Sequence, residues 1–392
     1  MNYTASGKDL RHKKACSRCI YDESIPTIVF DEEGVCNFCR MIEHLTETYR
    51  TGTPEGERML MDIISSIRKE GKGRKYDCVI GVSGGTDSSF LVVKAIEWGL
   101  RPLAVHYDNT WNTAIATENI RKVLGKLKVD LYTHVIDNKE SDDIIRSFFK
   151  ASVPDLDCAT DIALAETLYR AAGKYGIKYI LEGHSFIAEG VSPLSTLYMD
   201  GKYIRSVHKM FGSLPMKTFP NMSFNAFMKW TLFKRIRKIR PLWYITYSKP
   251  QARRYLENEF GWKYYGGHHL ENRITAIHHS FYNPVKFGID NRNNSLSAAV
   301  RSGEITREQA LHIYARPPFL EPELLEYFKK RMGLSEEEFD RIMQLPPKSY
   351  RDYPTYKKRF ERLKPMFYLL AKAHLVPMSF YLKYCFKSET GV

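Results

Sequence analysis

Between residues 77 and 182 the chain alternates short, unbroken apolar runs with longer stretches in which apolar residues recur every three or four positions. The runs Asp77–Val82, Leu103–Tyr107, Leu131–Ile136 and Tyr179–Glu182 predict strands, and Ser88–Trp98, Thr113–Leu127 and Ile162–Lys174 predict helices. A strand apolar on both faces belongs in a sheet covered on both sides, so the alternation predicts an α/β fold with a parallel sheet. Upstream, a helix is expected from about Glu57 to Glu70, after the turn-rich linker Thr51-Gly52-Thr53-Pro54-Glu55-Gly56. Beyond about Gly303 the pattern is helical only, punctuated by Pro317-Pro318 and Pro346-Pro347. Three units are therefore expected: an N-terminal module and linker over 1–56, an α/β domain over 57–302, and a helical C-terminal extension over 303–392.

Composition adds one strong feature. The 392 residues, 43% hydrophobic and 27% charged, are ordinary for a folded chain, but the net charge is +14. Thirteen of the Lys and Arg residues fall between Gly201 and Phe260, against only Glu257 and Glu259. Such a concentration attracts polyanions: nucleic acid, phosphorylated substrates, anionic lipid or an acidic protein. Read as a helix, Lys229–Arg240 gathers Lys234, Arg235, Arg237 and Lys238 on one side and Met228, Leu232, Phe233, Ile236 and Ile239 on the other. A solvated face, a docking surface for a protein partner, a peripheral membrane contact and RNA binding are all compatible with it. The first fourteen residues lack the apolar stretch of a secretory leader, and no run of ~18 uncharged apolar residues occurs, so a cytoplasmic location is expected.

Of seven cysteines, four form Cys16-x2-Cys19 and Cys36-x2-Cys39, sixteen residues apart. Two such knuckles close a tetrahedron of thiolates with no open coordination position, the pattern of a structural zinc ribbon. Redox thiols and an iron–sulfur cluster are the alternatives. The pairs His268-His269 and His278-His279 have no accompanying carboxylate spacing and are not expected to bind a second metal.

The chemistry centres on Val82-Ser83-Gly84-Gly85-Thr86-Asp87-Ser88-Ser89, which joins the first predicted strand to a helix. Two glycines let backbone amides approach a phosphate, and the helix N-terminus adds free N–H groups and a favourable dipole. No Gly-Lys-Ser/Thr follows, so this is not a Walker A loop. Ser-Gly-Gly-x-Asp-Ser after an apolar strand resembles the pyrophosphate (PP) loop of the ATP pyrophosphatases, with their adenine-nucleotide α-hydrolase-like fold. That resemblance implies that Ser83, Gly84, Gly85, Thr86, Asp87 and Ser88 hold the ATP phosphates, with Asp87 near Mg²⁺. It places adenosine near His106 and Asp108, where the second strand ends. Glu182 and His184, at the end of the fourth strand, are implied to serve metal or phosphate and, with Ser83 and Asp87, to form the catalytic set.

The chain as a whole resembles the N-acetyl sugar amidotransferases of bacterial O-antigen, surface-polysaccharide and flagellin-glycan synthesis. The likeness rests on the cysteine knuckles, the loop, Pro241-Leu242-x5-Tyr247, Gly261-Trp262-Lys263-Tyr264-Tyr265-Gly266-Gly267, Lys286-Phe287-Gly288-Ile289-Asp290-x-Arg292, Gly303-Glu304-Ile305-Thr306-Arg307 and Pro346–Pro354. His268-His269-Leu270-Glu271-Asn272 and Asn291 depart from the family's pattern. The resemblance implies an ATP-dependent ligase acting on a nucleotide-activated N-acetyl sugar, with Lys286, Asp290 and Arg292 as candidates for the sugar nucleotide. It implies ATP, Mg²⁺ and structural Zn²⁺ as cofactors. Position 2 is Asn and no Cys–His–Glu glutaminase is visible, so ammonia is expected from a separate glutaminase, with a barrel subunit as a possible conduit. The rival is a tRNA-modifying PP-loop enzyme performing sulfur transfer, for which Cys158 is the one well-placed thiol.

Overall fold

The computed structural model describes residues 3–8, 10, 13–191, 197–267, 270–373 and 375–386. Its centre is a five-stranded, wholly parallel sheet: β1 (Cys78–Gly81), β2 (Pro102–Asp108), β3 (Leu131–Val135), β4 (Tyr179–Leu181) and β5 (Arg237–Ile239), in the order β3-β2-β1-β4-β5. Alternate residues of the central strand feed two cores. Cys78, Ile80 and Val82 pack with Leu60, Ile64, Leu91 and Ile120 from helices Pro54–Glu70, Thr86–Glu97 and Ala114–Leu127. Val79 and Ile180 pack with Leu168, Tyr169 and Ala172 of helix Cys158–Lys174 on the other face. Burial on both faces is why these strands read as continuous apolar runs.

The four strands expected from the sequence are present; β5 was not expected. The stretch that reads as a basic amphipathic helix is instead a short π-helical turn, Lys229–Phe233, then a left-handed residue at Arg235, then the edge strand. The main chain decides it: Arg237 N–H donates to Lys178 O (2.8 Å), and Glu182 N–H to Ile239 O (2.8 Å). Lys234, Arg235, Arg237 and Lys238 therefore do not share one helix face, and Lys238 turns to an ion pair within the fold.

Helices Leu324–Met332 and Glu336–Gln344 insert Phe328, Phe339 and Ile342 among Phe148, Phe149 and Tyr282, so the C-terminal segment shares the largest core of the chain. The last helices, Lys357–Arg362, Lys364–Lys372 and Met378–Tyr384, close an aromatic cluster around Phe224 and Phe227. Among the described residues no helix is long and apolar enough to cross a membrane.

Beside the largest core, buried His278 donates from Nε2 to Pro154 O (2.6 Å), and burial pushes its pKa down to about 4. A histidine neutral in the fold but titrating near 6.5 when unfolded adds stability that is present above pH 6.5 and lost as pH falls towards 4. Neighbouring Asp155 slopes the opposite way, because burial raises its carboxyl to about 7. Asp155 cancels in the difference between wild type and His278→Gln. Chemical denaturation should show wild type losing up to about 3 kcal/mol relative to the variant between pH 6.5 and 4. Parallel pH profiles would show that His278 is not held neutral.

Candidate active site

The loop after β1 is shaped by close packing. Gly84 has φ +82°, and a Cβ there would lie 2.3 Å from Ala116 O. Its own carbonyl accepts from Asn119 Nδ2 (3.3 Å) and Trp262 Nε1 (3.1 Å), so the helix Ala114–Leu127 and the Gly261–Gly267 segment clamp the turn. Gly85 N–H donates to Ser83 Oγ (3.3 Å), and Ser88 Oγ donates to Gly85 O (3.3 Å). Gly85 is the N-cap of helix Thr86–Glu97 and provides no side-chain cap, leaving first-turn amides to meet an anion. The buried Thr86 hydroxyl has no hydrogen-bond partner, a further orphaned group in the same turn.

Asp87 faces Lys249, whose Nζ lies 2.7 Å from Oδ2, and accepts a short hydrogen bond from Tyr247. Glu189 stands 3.6 Å from the same ammonium. Burial would raise the Asp87 carboxyl, but the Lys249 charge overcomes it and holds the group below the usual carboxylate range. Burial likewise works against the charged Lys249, yet Asp87 and Glu189 raise its pKa above the ordinary lysine value. Across the turn, a Cβ on Gly85 would sit 3.2 Å from Tyr265 Oη and 3.4 Å from Glu271 Oε1, so these two side chains cover the loop.

The other two strand ends flank it. His106 Nδ1 meets Val82 O at 2.7 Å, its Nε2 meets Asn112 Nδ2 at 3.2 Å, and Asp108 Oδ1 accepts from Thr110 N–H and Asn112. Asn272 bridges Asn109 (2.9 Å) and Asn112 (3.0 Å), extending this polar network to the next wall. After β4, a Cβ on Gly183 would come within 3.0 Å of the Asp87 main chain, so β4's end lies directly against the phosphate-type loop. Glu182 is locked between Lys238 (2.6 Å) and Arg240 (3.0 Å). Burial raises its carboxyl, but the two cations prevail and keep it below the ordinary value. His184 accepts from Trp243 Nε1 at 3.3 Å; desolvation and then the Arg240 charge push it down to about 4, so it is neutral at pH 7.

Ser83, Gly84, Gly85, Thr86, Asp87 and Ser88 thus form one loop, flanked by the β2 end with His106 and Asp108 and the β4 end with Glu182 and His184. Lys286, Asp290 and Arg292 are engaged elsewhere. Lys286 Nζ donates to the carbonyls of Ile342, Met343 and Leu345; Arg292 pairs with Asp290 and caps the carbonyls of Ile313, Tyr314 and Arg316. These contacts tie the C-terminal segment together, and reaching a sugar nucleotide would require giving them up. Lys249 and Glu189 are absent from the sequence reading. Lys249 lies at a helix start in Ser248-Lys249-Pro250, and only the fold brings it to Asp87. His268 and His269 lie outside the described residues; His278 serves the core.

The four cysteines converge. Their sulfurs all lie within 4.8 Å of one another, with Cys16–Cys39 at 3.9 Å and Cys19–Cys36 at 3.8 Å, and none is in a disulfide. A tetrahedron with Zn–S bonds of about 2.3 Å has edges of about 3.8 Å, so the quartet fits one ion. A cubane would spread its ligand sulfurs over four irons and hold them farther apart. Knuckle amides turn to the sulfurs, Arg18 N–H to Cys16 (3.4 Å) and Tyr21 N–H to Cys19 (3.5 Å). The other thiols, of Cys78, Cys158 and Cys385, are buried, and desolvation raises each.

Residues 271–365 match the family model described as LPS biosynthesis protein WbpG-like, C-terminal domain. The chain is 26% identical over 214 residues to the uncharacterized protein MJ1599 of Methanocaldococcus jannaschii, covering 52% of this chain and 73% of that one. Among solved structures it is similar to NMN synthetase from Francisella tularensis (12% identity, 72% of this chain and 95% of that one, TM-score 0.31). It is also similar to NH3-dependent NAD synthetase from Campylobacter jejuni (15%, 74% and 98%, TM-score 0.30) and U34-tRNA thiolase NcsA from Methanococcus maripaludis (11%, 76% and 88%, TM-score 0.31). The parallel sheet with its glycine loop after the central strand defines an α/β protein of PP-loop-like architecture, with a four-cysteine cluster of metal-site geometry near its N-terminus. The segment that matches the WbpG-like C-terminal domain begins with Glu271 and Asn272, the residues that border the loop and the β2 end.

Proposed function

We propose that this protein is an ATP-dependent sugar amidotransferase. The acetamido oxygen of a nucleotide-activated N-acetyl sugar attacks the α-phosphorus of ATP and pyrophosphate leaves. Ammonia then adds to the activated carbon, AMP departs with that oxygen, and loss of a proton leaves an acetamidine. The observation that supports this reading is that the WbpG-like segment begins beside the glycine loop and the β2 end, through Glu271 and Asn272. The loop amides and Lys249 are the groups disposed to hold the departing pyrophosphate, which is where preorganised donors contribute most. Asp87 and Glu189, which face Lys249, are the carboxylates that would hold a magnesium ion brought in with ATP, and that ion would offset the phosphate charge. His184, neutral at pH 7, can accept or relay a proton without adding charge beside Arg240.

Mass spectrometry tests this. UDP- and CMP-linked N-acetyl sugars incubated with the protein, ATP, Mg²⁺ and ammonium should yield a product in which one oxygen is replaced by NH, with AMP and pyrophosphate in equal amounts. AMP and pyrophosphate without any such sugar product would reject the sugar substrate. The sulfur-transfer reading needs a reactive thiolate, and Cys158 is buried with its thiol pushed up, by burial first and then by nearby carboxylates. Copurifying tRNA, seen as excess absorbance in the nucleic-acid band, would nonetheless revive it.

The same chemistry sets the nitrogen donor. A cysteine-type glutaminase needs an activated thiol; four cysteines are closed around the metal-type site and the other three are buried. The purified chain should therefore turn over with ammonium and not with glutamine, and a separate glutaminase should supply ammonia in the cell. Glutamine-dependent turnover by the chain alone would overturn the two-component reading.

A further inference from the structure

The C-terminal aromatic lobe presents a surface that the reaction above does not use. Helix Lys364–Lys372 buries Phe367, Leu370 and Ala371 against Phe224 and Phe227, yet leaves Leu369 67% and Tyr368 42% exposed. The turn Lys229–Phe233 anchors Leu232 in the same cluster and ends on Phe233, the most exposed large apolar side chain among the described residues at 81%. Cations adjoin them along the chain: Lys234 and Arg235 follow Phe233 and are exposed, and Lys372 lies one turn beyond Tyr368 and Leu369 with its Nζ 5.6 Å from the Tyr368 ring. From 357 to 386 the sequence has seven Lys or Arg and one acid, Glu361; from 217 to 240 it has seven and none.

We propose that this lobe is a peripheral docking surface for an anionic phospholipid bilayer. Phe233, Tyr368 and Leu369 would enter the headgroup–acyl boundary while Lys234, Arg235 and Lys372 meet the lipid phosphates, the division of labour of an interfacial amphipathic surface. Charge decides against a second copy of the chain, which would set cations against cations. The aliphatic Leu369 decides against nucleic acid, which rewards stacking rings and cations but gives nothing for an exposed leucine. Each of these side chains is exposed, so substitution leaves the core and the glycine loop untouched.

The test is cosedimentation of the full chain with vesicles of phosphatidylcholine alone and of phosphatidylcholine with phosphatidylglycerol. Binding is expected to the anionic vesicles only. The double variant Lys234→Glu/Arg235→Glu should weaken it by at least about 30-fold, at about fivefold per cation lost near the surface. Phe233→Ser/Leu369→Ser should remove about tenfold or more and abolish the fraction that survives raised salt. Both variants should keep the wild-type melting temperature and pyrophosphate release. Equal binding to neutral and anionic vesicles, or none to either, overturns the proposal. Tight binding of single-stranded RNA that survives the serine variant would reassign the face to nucleic acid. Loss of glutamine-dependent turnover alone, in the presence of a glutaminase and without vesicle binding, would reassign it to an acidic protein partner.

Discussion

Asp87→Ala should lower ATP-dependent pyrophosphate release by about 10²–10³-fold, the usual cost of removing one well-placed charged or hydrogen-bonding group from a site that stabilises developing charge. Asp87 sits in the first turn of the uncapped helix and fixes Lys249 2.7 Å away, with Tyr247 donating to it from the other side. Without the carboxylate, Lys249 retains only Glu189, 3.6 Å distant, and loses the position from which it can meet phosphate. Lys249→Ala should cost a similar factor, and the double variant little more than either, because the two act as one unit. Tyr247→Phe should cost less, since it removes a donor and leaves the ion pair. A coupled pyrophosphate assay gives the rates, and melting curves show whether the fold survives. Near-normal turnover in both Asp87→Ala and Ser83→Ala would show that ATP binds elsewhere.

Cys36→Ser should strip the chain of its metal and unfold the N-terminal module while the sheet remains. Structural zinc contributes about 10–16 kcal/mol to small thiolate modules, a free energy that is also their folding free energy. The effect should reach further than a free-standing ribbon would carry it. Arg307 Nε donates to the carbonyls of Cys16 and Cys19, Tyr21 Oη donates to Asn294, and Arg301 approaches the Cys39 sulfur at 3.8 Å. The WbpG-like domain therefore grips both knuckles through helices Arg292–Arg301 and Arg307–Tyr314. Elemental analysis should find one zinc per wild-type chain and none in the variant. Limited proteolysis of the variant should cut first in the linker at Arg50–Thr53. Several irons per chain with visible charge-transfer absorption in the wild type would replace zinc by a cluster and reopen sulfur chemistry.

The local code was legible where one segment contains its own reason. Strands β1, β2 and β4 show as apolar runs because both their faces are buried, whereas β3 is a half-exposed edge strand; the glycine loop shows because its turn and phosphate-type amides are contiguous in sequence. The cysteine pairs announce their site because ligand spacing within a knuckle is fixed by bond geometry. β5 could not be read this way: a three-residue edge strand carries no period of its own, and its cations fit only because Glu182, at the end of the neighbouring strand, neutralises Lys238 and Arg240. Lys249 and Glu189 were invisible for a related reason, since ion pairing with Asp87 depends on segments far apart in sequence and leaves no local pattern. Lys286 and Arg292 show the reverse, charged residues in a family-like motif whose partners are main-chain carbonyls of the C-terminal segment. Periodicity and spacing thus determined four of the five strands, the loop and the four-cysteine module. Which charges face the loop and which brace the scaffold was decided only by the packing of distant segments, because a charge takes its role from the partner that desolvation forces it to find.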